Sequence, residues 1–315
     1  MPQLNPSQAR VVDPIITNVA RGFSFPGLIA SALFPTVGVA QRGGRILTFG
    51  VEDFLLYNTG RAPGSNTKRM SFGHFGAPYA LESHSLEGVV PIELMQEAQA
   101  VPGIDMGAGA VRKVRNAMLL RLEYQAAQLA RNAANYGAGN KVTKSGTGQW
   151  SDLAASDPIG DVENAKEVIR AATGMRGNTV VMGAAAFKSI KQHKSVIDRI
   201  KYTGRDVPTL ELLASLFDVQ RVVVGDAVYS TGGGTNPAFV DVWGKDVVVA
   251  YTDTASAADM GTPSYGYTYQ LDGYMVVEEP YFDRNSKSWV YPVTDEVAPV
   301  IAGASAGYLI QNAVA

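Results

Sequence analysis

The chain has 315 residues, 46% of them hydrophobic, with 27 Lys and Arg against 29 Asp and Glu and no Cys. The length admits one large or two ordinary domains and a sizeable core, while the missing cysteines exclude a disulfide framework, a thiolate metal site and a catalytic thiol. A formal charge of -2 and a pI near 6.0 supply no bulk attraction to nucleic acid, which argues against a dedicated DNA binder. Met1 to Pro6 lacks the basic and apolar regions of a secretory signal, and Gly, Pro or charge interrupts every apolar run before it reaches the roughly 18 residues that span a bilayer. A soluble, unexported protein is expected.

From Asp13 to Gly50 the sequence carries apolar residues without a helical or strand period. Phe23, Phe25, Leu28, Ile29, Leu33 and Phe34 are spaced by Pro14, Pro26 and Pro35, which fix φ and bias the preceding residues toward extended backbone. Such an arm is expected to pack on something other than itself, a neighbouring subunit being one such surface. Arg45 to Gly50, Phe54 to Tyr57 and Arg69 to Phe75 have the pattern of short strands around a turn-rich tip, Thr59 to Asn66. Gly43 to Tyr79 therefore reads as an extended β-ribbon, and a lone two-stranded ribbon needs a surface to lie on.

Val90 to Ala98 reads as a short helix with Pro91 in its first turn. Between Val111 and Asn135, Val111, Val114, Met118, Leu122, Ala126, Leu129 and Ala133 recur at spacings of three and four, predicting one amphipathic helix about 37 Å long. Tyr136 to Asn140 supplies its stop. Asn140 to Ser156, polar and Gly-rich around Trp150, reads as a linker at a domain boundary. Beyond it come a helix from Val162 to Thr173 capped by Asp161, a strand from Asn178 to Gly183, and helices from Ala184 to Lys201 and Thr209 to Phe217. Strands or hairpins follow at Arg221 to Tyr229 and Phe239 to Tyr251, the latter broken at Trp243 to Asp246, around a loose Thr231 to Thr235 loop. Ser264 to Val314 alternates aromatics and turns and reads as strands returning to the first part of the fold.

No constellation for catalysis emerges. Gly303-Ala304-Ser305-Ala306-Gly307 matches a nucleophile elbow, but no histidine follows it, and the motif lies too near the end for a helix and triad partners. His74, His84 and His193 lack ligand spacing, and the glycine clusters at 137–148 and 232–234 lack the Gly-Lys-Ser/Thr of a phosphate cradle. Asp157 and Asp161, or Glu278 and Glu279, have no spacing that sets them apart from solvated charge. The basic residues of the long helix, Arg112, Lys113, Arg115, Arg121 and Arg131, are interrupted by Glu123 and read as a wet face. No catalytic, cofactor or metal residues are expected.

Ile16, Thr17, Asn18, Ala20 and Gly22, followed by Leu33, Phe34, Pro35, Val37 and Val39, resemble the N-terminal arm of tailed-phage major capsid proteins of the Hong Kong 97 type. The long helix is similar in place and length to that fold's spine helix, and Asp295 to Gly303 with Gly307 to Ala313 resembles its C-terminal strand. The resemblance implies an α+β capsid fold: an N-terminal arm (1–42), an extended loop (43–79), a peripheral domain with the spine helix (80–150), an axial mixed α/β domain (151–262) and peripheral return strands (263–315). It further implies a non-enzymatic shell protein of the virion, assembled in the host cytoplasm as hexamers and pentamers around double-stranded DNA contacted weakly and non-specifically. Expected partners are copies of itself, a scaffolding protein that is separate or was removed beforehand, a portal and a decoration protein, with no membrane. Phe23, Leu33, Phe34, Arg61 and Phe72 are the expected subunit-interface residues. Some family members crosslink a loop lysine to an asparagine; Lys68 with Asn285 or Asn312 are nominal counterparts, and nothing local activates Lys68. The rival readings are an encapsulin-type compartment shell of the same fold and, more distantly, a soluble α/β enzyme.

Overall fold

The computed structural model describes residues 27–45, 78–99, 105–200, 208–232, 238–253 and 264–315, with short pieces at 56, 59–61 and 66–67. Phe23, Lys68, Phe72, His74 and most of the expected ribbon lie outside the described residues. In chain order, α1 (Ala30–Leu33) is a single turn ended by Pro35, and β1 (Thr36–Val39) follows it. β2 (Gly43–Arg45) and β3 (Pro78–Ala80) pair antiparallel, so the two ends of the expected ribbon meet at a hydrogen-bonded base. β4 (Glu82–Pro91) is next, and Pro91 closes it rather than opening the helix α2 (Ile92–Gln99).

The long helix α3 (Met106–Arg131) begins five residues before the apolar period does. Gly107 and Gly109 weaken that period, but Asp105 caps the helix by accepting from Ala108 N at 2.9 Å. At 26 residues it is about 39 Å long. β5 (Lys141–Thr143) precedes α4 (Pro158–Thr173), whose cap is Asp157 and not Asp161, because Pro158 takes the first helical position. Asp161 instead receives Trp150 Nε1 at 2.8 Å and Lys144 Nζ at 2.6 Å. Gly174, at φ 72°, ends the helix in the left-handed conformation that glycine adopts without strain.

β6 (Thr179–Gly183) leads into α5 (Ala184–Gln192) and α6 (Lys194–Ile200), where the sequence suggested one helix. The break is at buried His193, whose Nδ1 accepts Ser195 N at 3.3 Å and lies 2.7 Å from Ser195 Oγ, while Nε2 lies 2.9 Å from Ser156 Oγ. The chain continues through α7 (Leu210–Leu216), β7 (Arg221–Gly225), β8 (Val228–Ser230), β9 (Phe239–Asp241) and β10 (Val247–Ala250). It closes with β11 (Gly266–Leu271), β12 (Val276–Val277), β13 (Tyr281–Asp283), β14 (Ser288–Ile301) and β15 (Gly307–Gln311).

Two sheets organise these elements. In the first, β14 is the spine: its 14 residues pair with β4 along one edge and with β13, β12 and β11 in succession along the other, while β1 adds in parallel to β11. Val90, Val111, Val114, Tyr291 and Val293 pack between this sheet and α3. The second sheet runs β5–β15–β10–β6–β7. Trp150, Ile169, Met182, Ile190, Phe217 and Ile310 form its core. The 140–156 stretch, read as a linker, thus supplies an edge strand and a fully buried tryptophan whose indole N–H is satisfied by Asp161. The last strand, β15, joins the second sheet and not the first.

A further apolar cluster joins the halves. Leu33 and Phe34 lie with Ala126, Ala130, Trp243 and Tyr265, and both are 0% exposed. The arm therefore does cover its apolar residues within its own chain, at least from α1 onward, because Gly266 opens a space that a Cβ would close at 2.6 Å from the Phe34 ring. Burying such side chains contributes about 1.5–3 kcal/mol each.

The glycines give opposite stability tests. A Cβ at Gly183 would sit 1.9 Å from the backbone oxygen of Gly244, whereas one at Gly109, inside α3, meets nothing within 4 Å. Gly183→Ala is expected to destabilise the chain by about 1–3 kcal/mol, and Gly109→Ala to stabilise it by about 0.5–1 kcal/mol. Thermal denaturation of the two variants measures both signs.

Candidate assembly surfaces

Two described stretches, α1 and the β2–β3 base, mark where the expected arm and ribbon join the body. α1 is held at both ends. Its amino end donates Ile29 N and Ala30 N to the Glu123 carboxylate at 2.9 and 2.8 Å, and Arg221 NH2 donates to Ala32 O at 2.7 Å. Glu123 also accepts Trp243 Nε1 at 2.6 Å, so one carboxylate on α3 ties together the arm, the helix and the loop before β10. It is buried, and burial raises its pKa above the ordinary value against the lowering effect of the three N–H donors. About two turns further along α3, Arg131 Nε reaches Asp246 Oδ2 at 2.7 Å and Arg131 NH1 reaches Val242 O at 3.0 Å, while Asp246 Oδ1 accepts Asn312 N.

The ribbon base has its own anchor. Arg42 donates Nε and NH2 to Glu296 at 2.5 and 3.0 Å, a bidentate pair at the foot of β2. Tyr79 of β3 stacks on Tyr269 with ring centroids 4.3 Å apart. Next to Glu296 on β14, Asp295 accepts Gln270 Nε2 at 2.8 Å, and its burial raises its pKa. His84 hydrogen-bonds Arg121; burial first and then that guanidinium lower the imidazole pKa.

Of the interface residues expected from the sequence, Leu33 and Phe34 lie in the chain's own core. Arg61 is exposed, and Phe23 and Phe72 lie outside the described residues. Sequence reasoning missed Glu123, Arg42 and Glu296. A capping carboxylate 93 residues from its N–H partner leaves no local signal, although a single acid among five basic residues of a helix was the anomaly to follow.

The serine and histidine geometry is structural. Ser305 sits in a single turn between β14 and β15, without the following helix of a nucleophile elbow. Ser156 Oγ donates to Asp152 O at 2.7 Å, so His193 Nε2 must donate to Ser156, and the ring has no free lone pair with which to act as its base. Asn312 donates its N–H to Asp246, and Asn285 sits in the tight β13–β14 turn with its N–H on Asp283.

The profile of the family described as phage major capsid protein E matches residues 105–257, from α3 through β10. The major capsid protein of Burkholderia phage BcepMu is 37% identical over 97% of this chain and 98% of its own length. A phage-related protein from Bordetella bronchiseptica RB50, solved by crystallography, is 46% identical, covers 97% of this chain and 99% of its own, and superposes with a TM-score of 0.83. At the level of fold alone, the mature capsid of bacteriophage PhiM1 superposes at 0.53 with 14% identity, covering 92% and 88% of the two chains. The SrpI encapsulin of Synechococcus elongatus superposes at 0.55 with 11% identity, covering 93% and 89%. The chain belongs to the phage major capsid protein family and has the Hong Kong 97-type capsid fold. It is a structural protein of tailed phage and not an enzyme.

Removing the anchor tests its weight. Glu123→Ala leaves three buried N–H donors without an acceptor and is expected to cost on the order of 3 kcal/mol. The raised pKa adds a pH signature: between the unfolded and folded values the native chain binds more protons than the unfolded one, so this group's contribution to stability grows as pH falls through that window. Glu123→Gln has no proton to take up. The wild-type minus Glu123→Gln difference in denaturation midpoint should therefore shift in favour of the wild type on acidification from pH 7 toward pH ~4.5.

Proposed function

We propose that this chain forms the hexamers and pentamers of an icosahedral shell that encloses double-stranded DNA. The observation that carries the reading is the near full-length match to a phage major capsid protein, supported by a body that fixes the bases of the expected arm and ribbon, at Glu123 and at Arg42–Glu296. In this reading Phe23 on the arm and Arg61 and Phe72 on the ribbon contact neighbouring subunits, and Leu33 and Phe34 fix the arm from which Phe23 projects. Shell closure then depends on apolar area that only a neighbour covers. A separate scaffolding protein, a portal and a decoration protein complete the partner set, and the interior meets DNA through weak non-specific contacts, in keeping with the near-neutral net charge. The segments would divide as arm, ribbon, spine-helix domain and axial domain, with the turn at Gly174 to Gly177 and the Gly232 loop toward the capsomer axis.

The test is to express the full chain, concentrate it, and examine it by negative-stain electron microscopy beside size-exclusion chromatography. Shells, tubes or six-membered rings are expected. A monomer that stays unassembled even with its scaffold added overturns the reading, and shells that package a protein cargo in place of DNA would point to the encapsulin alternative. Arg61→Asp is expected to lower the assembled fraction about tenfold while the unassembled chain keeps its melting temperature, since an exposed charge contributes little to the fold.

A further inference from the structure

His84 is placed where one proton reverses a contact between β4 and α3. It lies directly opposite Asp295 in the β4–β14 register, so both side chains stand on the face of the sheet that Gly88 and Val90 turn toward α3. From α3, Arg121 NH1 hydrogen-bonds His84 Nδ1. A guanidinium only donates, so Nδ1 supplies the lone pair and the proton of the neutral ring sits on Nε2. That N–H is buried without a hydrogen-bond acceptor; Glu82 Oε2 stands 3.7 Å from it and 3.8 Å from Arg121 NH2.

The charges that face the ring come from three elements. Arg121 on α3 opposes a second positive charge, while Glu82 on β4 and Asp295 on β14 favour one; burial and Arg121 prevail, and the ring is neutral at pH 7. Asp295 is itself engaged from behind by Gln270 of β11 and by the field of Arg115 on α3. Protonation would turn Nδ1 into a donor facing a donor and set a cation beside a cation. The three partners differ in freedom: the His84 side chain is 12% exposed, that of Arg121 50% and that of Glu82 65%. Arg121 and Glu82 can therefore turn while the imidazole stays, and a cavity of about 260 Å³ lined by His84, Arg121, Gln125 and Asp295 leaves room for the exchange.

We propose that His84, Arg121 and Glu82 form a proton-operated latch, in which neutral His84 holds Arg121 and with it α3 on β4, and protonated His84 takes Glu82 and releases Arg121. The latch sits four residues beyond β3, and Leu81 between them donates its N–H to Arg42 O, so the contact it controls adjoins the ribbon base. It is a property of the single chain, goes beyond the shell reading and does not depend on it.

Nitrogen-15 titration of the unassembled full chain, labelled in its three histidine rings, tests this. One ring is expected to titrate below the ordinary value of about 6.5; Arg121→Gln should raise its midpoint by about half a unit or more, and Glu82→Gln should lower it. Stability gives an independent reading. With the folded value below the unfolded one, the unfolded chain binds more protons between the two, so the contribution of neutral His84 is complete above pH ~6.5 and is lost as pH falls through the folded value. The folding equilibrium constant of the wild type relative to His84→Gln, which has no proton to take up, should fall in that window by up to about tenfold per pH unit, the limit for one proton. The absence of a ring that responds in opposite directions to Arg121→Gln and Glu82→Gln would overturn the inference. So would a wild-type to His84→Gln ratio that stays constant between pH ~7.5 and ~5.

Discussion

The buried carboxylate of Glu123 is the constraint from which the rest of this structure follows. An isolated carboxylate in an apolar interior is costly, and this one is tolerated because three N–H groups converge on it from Ile29, Ala30 and Trp243. The same bonds hold three otherwise separate pieces of chain: the arm, α3 and the loop that precedes β10. Around it, Ala126, Ala127 and Ala130 keep the α3 surface shallow, so that Leu33, Phe34 and Trp243 approach closely enough to make one cluster. A larger residue at those alanines would lift the arm off the helix and separate the Ile29 and Ala30 amides from their acceptor.

β14 plays the complementary part in the first sheet. Four strands hydrogen-bond along its two edges, and its adjacent acids Asp295 and Glu296 point to opposite faces, one toward Gln270 and the other toward Arg42. The angle of the ribbon base is thus referred to the same strand that supports α3. The described bases of both segments, Ile29 and Ala30 on Glu123 and Arg42 on Glu296, are thus fixed to one frame with α3 and β14 at its centre.

How much of this was legible depended on the range of the interaction concerned. α3 was clear because its apolar spacing persists for more than six turns, and β6, β7, β10 and β14 were clear from their β-branched runs, whereas β1, β4 and β5, poorer in such runs, were not read as strands. The break at His193 was not: Ile190 and Ile197 are seven residues apart and in phase for one continuous helix, whereas the structure buries Val196 and leaves Ile197 largely exposed. The cap at Asp157 was available, since an acid followed directly by proline is a helix start, and the period alone placed it four residues late. The burial of Leu33 and Phe34 was missed for a different reason. Leu33 and Phe34 have no local partners, and the surface that covers them is assembled from Ala126, Trp243, Tyr265 and Gly266, between 92 and 233 residues away in sequence. Apolar residues without a period signal that a surface elsewhere must cover them; they do not say whether that surface belongs to the same chain.

That ambiguity is the physical theme of the protein. A chain that works as one of many copies divides its apolar and hydrogen-bonding groups between contacts that fold it and contacts that only a neighbour can complete. Those completed at home are distinguishable by their polar closure: the Glu123 donors, Arg221 on Ala32, the Trp150 indole on Asp161 and the Tyr136 hydroxyl on Tyr265 leave these buried polar atoms satisfied. The outer edge of β4 has the opposite character: among the described residues no strand pairs with it, and Leu86 and Val89 stay exposed in a strand whose inner edge is fixed by ten residue pairs, so closure at home stops at that edge.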